Sequence, residues 1–159
     1  MEKYVLINIQ KENAEMELDI LKELFEEIGK VTKVEDIGYH RIVDGRLIPV
    51  YKTQTDVLGI EKWKTVHGQN PVHVKGTRIL EEVFSKNKPV EIYDTNNDER
   101  AADAFFLFGV DSIMIIPVVR NEEVKAIVCT VTIGRLHQFT QDEMTTCSKL
   151  VEQYLTDTY

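Results

Sequence analysis

Hydrophobic residues recur with a helical period in the first part of the chain. From Ala14 to Ile28 they fall three or four positions apart, with charged residues between them. This spacing predicts an amphipathic helix with one apolar face. We expect it to end at Gly29, because glycine readily takes the left-handed conformation of a helix C-cap. Residues 1–10 carry only a short apolar patch, which fits either a short strand or a lead-in segment.

An alternating pattern follows from Val34 and predicts a β-hairpin. Asp44-Gly45 is its turn, since both residues tolerate positive φ. Pro49 favours an edge position for the returning strand, residues 46–51. One face of the first strand carries Ile37, Tyr39, Arg41 and Val43, and the other carries Gly38, His40 and Ile42.

The middle of the chain is less regular. Residues 52–75 contain Gly59, Gly68 and Pro71, and we expect a loop there. Further on, the pattern predicts a helix over 76–86, a strand over 90–93 and a helix over 99–108 that Gly109 closes.

The last third contains two strands that are apolar on both faces, 113–119 and 124–133. Such strands are typical of the centre of a covered sheet. Thr140 and Glu143 have the spacing of a capping box and open a final helix. The order of helices and hairpins predicts an α+β domain with a mainly antiparallel sheet in a three-layer arrangement.

The composition and net charge of the chain argue against several classes of function. The chain has 159 residues, which fits one domain, and a net charge of −8. This charge argues against binding to nucleic acid or to anionic membrane surfaces. The sequence shows no membrane span and no signal peptide, so we expect a cytoplasmic protein. Cys129 and Cys147 lie in apolar settings and are expected to be buried free thiols.

Several short motifs in a fixed order carry a family resemblance. They cover most of the chain from Glu17 to Leu155, and through them the chain resembles the GAF family of regulatory domains. The motifs are Gly76-Thr77, Lys88-Pro89-Val90 with Tyr93-Asp94, Gly109-Val110-Asp111-Ser112, the strand that ends in Pro117, and Phe139-Thr140 with Asp142-Glu143.

The resemblance implies a PAS-like fold with a central antiparallel six-stranded sheet. Terminal helices would cover one face and often dimerise, while helices and loops on the other face would form a pocket. GAF ligands include cyclic nucleotides, tetrapyrroles, haem, amino acids and other small metabolites. We expect a lead-in segment, 1–13, and a single GAF-like domain, 14–159.

The sequence lacks the residues that mark the specialised branches of the GAF family. Members that bind cyclic nucleotides carry an Asn-Lys pair after the strand that matches 126–133, and this chain has none there. Neither Cys129 nor Cys147 matches the position of a bilin attachment cysteine. The enzymatic branch reduces free methionine sulfoxide through clustered, accessible thiols, and these two cysteines do not fit that arrangement. No cofactor is therefore expected.

Candidate ligand-binding residues lie where the GAF pocket is expected. Arg41 is suited either to an anionic ligand group or to pairing with a nearby carboxylate. Trp63 is suited to a lid over the ligand or to an anchor for its loop, and Asp94 to a ligand acceptor or to a helix cap. The full candidate set is Tyr39, Arg41, Tyr51, Trp63, His67, His73, Tyr93, Asp94, Phe105 and Ser112.

No metal site is expected, because His67 and His73 have no nearby cysteine and no acidic residue lies between Trp63 and Gly76. The resemblance implies a non-enzymatic sensor that binds a small ligand and signals through its terminal helices. Expected partners are a second copy of the chain and a fused or separate output domain. The alternative is a dimerisation module without a ligand, whose interface would be Leu18, Leu21, Phe25, Ile28, Tyr154 and Leu155.

Overall fold

The computed structural model describes residues 2–156. It has five helices and five strands within that range. The helices are α1 (Glu2–Thr32), α2 (Ile60–Gln69), α3 (Arg78–Lys86), α4 (Asp103–Phe108) and α5 (Gln141–Leu155). The strands are β1 (Asp36–Val43), β2 (Arg46–Lys52), β3 (Val90–Ile92), β4 (Val110–Arg120) and β5 (Glu123–Ile133).

The strands form one antiparallel sheet in the order β2-β1-β5-β4-β3. Tight turns join both hairpins. Asp44 and Gly45 have φ of 50° and 73°, and Asn121 and Glu122 have φ of 52° and 66°. These left-handed pairs suit the twist of neighbouring antiparallel strands. The predicted Asp44-Gly45 turn is confirmed.

The predicted α+β class with an antiparallel sheet is confirmed, but the strand count differs. Residues 2–156 supply five strands rather than six. The segment between β2 and α3 forms α2 instead of a strand, and its one β-bridge to the sheet among the described residues joins Arg46 and His73.

Helices α1 and α5 cover one face of the sheet. Their apolar side chains pack with every second residue of the central strands, as alternation along a strand requires. Leu21, Leu24 and Ile28 of α1 are fully buried there, and so is Leu155 of α5. Phe139 closes this core just before α5.

The opposite face of the sheet packs against the other helices. Ile79, Leu80 and Val83 of α3 are buried against the alternate residues of β4 and β5, such as Ile113 and Ile127. The central strands therefore separate two apolar cores. This explains why their sequences are apolar on both faces.

The first helix differs from its prediction at both ends. It begins at Glu2 rather than near Ala14, so residues 2–10 are helical and not a strand. It also continues past Gly29 to Thr32, and Lys33 takes the left-handed conformation instead, with φ of 60°. Thr32 supports this end because its hydroxyl donates to the Ile28 carbonyl and accepts from Val34 N. The division of the chain at residue 13 stays a prediction, and residues 1 and 157–159 lie outside the described range.

Other predicted boundaries shift less. The segment 52–75 is not wholly a loop, because α2 occupies ten of its residues. The helix predicted over 99–108 is shortened to α4, which ends at Gly109 as expected. Thr140 caps α5 through a bond from Glu143 N at 3.1 Å, whereas the Glu143 carboxylate pairs with His137.

Candidate functional site

A cavity lies between the sheet and helices α2, α3 and α4. It has a volume of about 70 Å³ and mainly hydrophobic walls. Pockets for drug-sized ligands span several hundred Å³. The cavity therefore has room for only a few non-hydrogen atoms.

A buried pair of histidines stands in the wall of this cavity. His40 comes from β1 and His67 from α2, and their Nε2 atoms are 3.1 Å apart. A hydrogen bond at this distance requires one Nε2 to carry the proton and the other to accept it. The pair thus joins the covering helix to the sheet through a single polar contact within a mostly apolar region.

Aromatic rings surround the pair. Trp63 meets His40 edge to face, with ring centroids 5.0 Å apart, and Phe108 lies 5.1 Å from His67. Gly38 allows this packing, because a Cβ atom there would lie 3.2 Å from Cζ2 of Trp63. The missing side chain in β1 thereby lets the indole rest directly on the strand.

Burial keeps both histidines neutral at physiological pH. It lowers the pKa of His67 to about 4, because the charged imidazolium would lose its hydration. Burial also lowers the pKa of His40 well below its ordinary value, and the nearby His67 adds to this effect.

A buried ion pair anchors the segment that leads into α2. Lys52 Nζ donates to Asp36 Oδ1 at 3.0 Å and to the carbonyls of Thr53 and Leu58. Thr55 donates to the same carboxylate oxygen at 2.7 Å. Burial lowers the pKa of the Lys52 ammonium, and the bond and charge of Asp36 oppose that shift. Since Asp36, Lys52 and Leu58 line the cavity, this network sets the position of its cover.

Three of the predicted site residues meet at the cavity. Trp63 and His67 line it from α2, and Phe105 lines it from α4. Trp63 is buried, so it both anchors α2 and covers the cavity.

Three others lie on the opposite face of the sheet. Tyr39 is fully buried in the core beneath α1 and α5. Arg41 pairs with Glu17 of α1, and Tyr51 stacks on Phe25 with ring centroids 5.9 Å apart. These residues connect the sheet to α1 and do not line the cavity.

The remaining four have local structural roles away from the cavity wall. His73 is exposed, and its carbonyl accepts from the Thr77 hydroxyl. Tyr93 is 45% exposed, and Asp94 caps the 3₁₀ turn that follows it. Ser112 is buried, where its hydroxyl donates to the Tyr93 carbonyl and accepts from His137 N.

Sequence reasoning missed five notable residues of the wall. They belong to β1, β2 and β5, and none was in the candidate set. A signal was available in Gly38, because glycine inside a strand often marks the close approach of another group. The missed residues are Asp36, Gly38, His40, Lys52 and Cys129.

No group of three or more histidine, cysteine or acidic side chains within residues 2–156 is placed to hold a metal ion. None of the described helices combines the length and apolar character that a membrane span requires.

The family model for the GAF domain matches residues 17–154. The chain belongs to the GAF family. No curated protein sequence matches it with significance. The match begins inside α1, so the first turns of that helix precede the GAF domain proper.

Solved GAF structures have the same fold at low sequence identity. A GAF domain/HD domain protein from Geobacter sulfurreducens is 15% identical, with a TM-score of 0.71 over 87% of this chain and 88% of its own. The photoproduct state of a GAF domain from Synechocystis sp. PCC6803 is 12% identical, with a TM-score of 0.70 over 89% and 92%. The type II free methionine-R-sulfoxide reductase from Thermoplasma acidophilum is also 12% identical, with a TM-score of 0.62 over 89% and 92%. At these identities the likeness concerns the fold alone.

Proposed function

We propose that this GAF domain is a non-catalytic sensor that binds a small ligand in the cavity beneath α2 and signals through α1 and α5. The observation that carries the proposal is the buried His40–His67 pair in the wall of an otherwise apolar cavity. A few convergent polar groups in an apolar pocket are typical of small-molecule sites. The chain belongs to the GAF family, and a far-red cyanobacteriochrome photoreceptor is among its structural neighbours, which agrees with a sensory role.

The central strands offer a route from the cavity to the terminal helices. In β1, His40 faces the cavity, while the preceding Tyr39 packs in the core under α1 and α5. In β5, Ile127 and Val128 are divided between the two cores in the same way. A ligand that shifts β1 or α2 therefore changes the surface on which α1 packs. For such coupling, the ligand need only bind one arrangement of β1, α2 and α1 more tightly than another.

Native mass spectrometry and hydrogen exchange test the proposal together. We expect the purified chain to retain a small molecule, and its removal to increase amide exchange in α2 and to alter exchange in α1 and α5. Strand β3 serves as an internal reference, since none of its residues lines the cavity. A retained ligand whose removal leaves α1 and α5 unchanged would overturn the signalling part of the proposal.

The two cysteines support a non-catalytic role. Burial raises the pKa of the Cys129 thiol to about 12. Burial and the charge of Glu143 raise the pKa of the Cys147 thiol to about 11. Cys129 lines the cavity, but Cys147 belongs to the core on the other face of the sheet. Protonated thiols on opposite faces are poor candidates for attack and resolution in sulfoxide reduction.

We propose that the domain passes its signal on as a homodimer, which forms through the exposed first half of α1. The interface expected from the sequence is unsuitable, because Leu21, Phe25, Ile28 and Leu155 are buried within the chain itself. Residues 2–16 of α1 are instead exposed. Leu6, Ile9 and Met16 are 60%, 47% and 60% exposed, respectively.

The spacing of this exposed stripe favours a second copy of the same helix as its partner. Leu6, Ile9, Asn13 and Met16 follow each other at alternating intervals of three and four residues, and the partly buried Ile20 continues this period. These are the a and d positions of a coiled coil, and an asparagine at a single a position is typical of parallel two-stranded pairs. The same native mass spectrum reports the oligomeric state of the chain, and a monomer at every concentration would exclude this output.

A further inference from the structure

We propose that the cavity selects an uncharged ligand with an amide-like edge, in which one hydrogen-bond donor lies beside one acceptor, and that His40 and His67 bind this edge through their Nε2 atoms. The inference rests on the proposed sensory function and specifies the chemical class of the ligand.

The geometry of the histidine pair defines the edge. A hydrogen bond across the 3.1 Å between them requires opposite tautomers, so one Nε2 donates and the other accepts, whichever of the two rings holds the proton. When a ligand replaces this contact, the pair presents one donor and one acceptor side by side. Primary amides, lactams and azoles carry the complementary arrangement of an N–H next to an acceptor.

A second observation concerns the other ring nitrogen of His40, which takes no part in the contact with His67. Its Nδ1 atom is buried and has no hydrogen-bond partner among the described residues. Buried polar atoms in proteins are almost always paired, with protein, water or ligand. His40 therefore has hydrogen-bonding capacity that the surrounding protein does not use, in a side chain that lines the cavity.

The charges around the cavity exclude ions. Among the described lining residues, the ionised side chains are Asp36 and Lys52, and they pair with each other. The remaining wall is largely apolar, and burial disfavours protonation of both histidines. An anion or a cation would lose its hydration here without meeting an opposite charge, which is costly.

The volume sets the size of a suitable probe. About 70 Å³ accommodates a molecule of only a few non-hydrogen atoms. Acetamide has this size and carries the required edge. Acetate and acetamidinium have nearly the same shape as acetamide but carry a negative and a positive charge. A difference in affinity among the three compounds therefore reports the effect of charge and not of size.

The experiment titrates each compound into the intact chain at neutral pH and follows the indole N–H resonance of Trp63 by NMR. Trp63 is the one tryptophan in the sequence, and it lines the cavity. We expect saturable, millimolar binding of acetamide, as is usual for so small a ligand, and binding of both ions at least about tenfold weaker. His67→Phe should weaken acetamide binding by about tenfold or more, the equivalent of one hydrogen bond. His73→Phe, at an exposed histidine outside the cavity, should leave it unchanged.

Several outcomes would overturn the inference. The first is that acetate or acetamidinium binds as tightly as acetamide. The second is that a folded His67→Phe variant still binds acetamide with the wild-type affinity. The third is that none of the three compounds gives a saturable shift. The charge series uses the unmodified protein, so it decides the question even if the variant does not fold. If the chain instead retains a charged small molecule that orders α1 and α5, the sensory function stands and only this ligand class is wrong.

Discussion

His40 and His67 make the stability of the domain depend on pH. The pKa of His67 is about 4 in the folded state, because of burial, and near 6.5 when unfolded. Above pH 6.5 neither state binds the proton. As the pH falls from 6.5 towards 4, the unfolded chain becomes protonated and the folded chain does not, so the free energy of unfolding decreases. For His67 alone the total loss is roughly 3 kcal/mol, and His40 acts in the same direction.

Urea unfolding at pH values between about 7 and 5 tests this dependence, since most carboxylates titrate below that range. The wild-type protein should lose stability steadily across it. The double variant His40→Phe/His67→Phe should lose much less, whereas His73→Phe should behave like the wild type. An unchanged slope in the double variant would mean that other groups cause the effect.

The same residues show what the sequence could and could not predict. Alternation placed Tyr39 and Arg41 on one face of β1 and Gly38 and His40 on the other, and this division is confirmed. Tyr39 and Arg41, the candidate ligand-binding residues of β1, lie on the face away from the cavity. Both faces of β1 are buried, so periodicity alone does not identify which one meets the cavity.

At the scale of elements, the segment from β2 to α3 departs most from its prediction. Gly59 and Gly68 suggested a loop, but Gly59 is the N-cap of α2 and Gly68 lies within its last turn. Ile60, Trp63 and His67 do follow a helical period. The tertiary contacts of Trp63 and His67 with the sheet stabilise this short helix, and such contacts override weak local propensity.

The Lys52–Asp36 pair is expected to contribute strongly to the attachment of this segment. Its two side chains are only 3% and 9% exposed. Lys52→Met leaves a buried carboxylate without its cation and should lower the free energy of unfolding by roughly 3 kcal/mol. The double variant Lys52→Met/Asp36→Leu should recover part of this loss, because it removes both charges. Urea unfolding gives the two values.

An exposed ion pair is the matched control for this prediction. Lys125 pairs with Glu123 on the surface. Lys125→Met should change stability by less than about 0.5 kcal/mol, because exposed pairs contribute little. A similarly small effect for Lys52→Met would show that the buried pair does not anchor the segment.

At the scale of the whole molecule, β1 and β5 form a wall shared by two cores. Family resemblance correctly predicted this layering, with terminal helices on one face and the cavity on the other. The apolar stripes of the terminal helices suggested a dimer interface, but most of its residues pack inside the chain. A helical period identifies an apolar face but does not distinguish burial within one chain from burial between two. The exposed stripe on residues 6–16 is therefore the better candidate for an interface.

A cysteine at position 13 tests the parallel arrangement. In an in-register parallel dimer, each Asn13 faces its counterpart at an a position. Asn13→Cys should therefore form a disulfide-linked dimer under mild oxidation, detected by non-reducing gel electrophoresis. Lys11→Cys, two residues away on the outer face of the helix, should not. The wild-type chain should also remain uncrosslinked, since burial raises the pKa of both native thiols. Equal crosslinking at positions 11 and 13 would indicate random collision, and a dimer that crosslinks at neither would point to an antiparallel or a different interface.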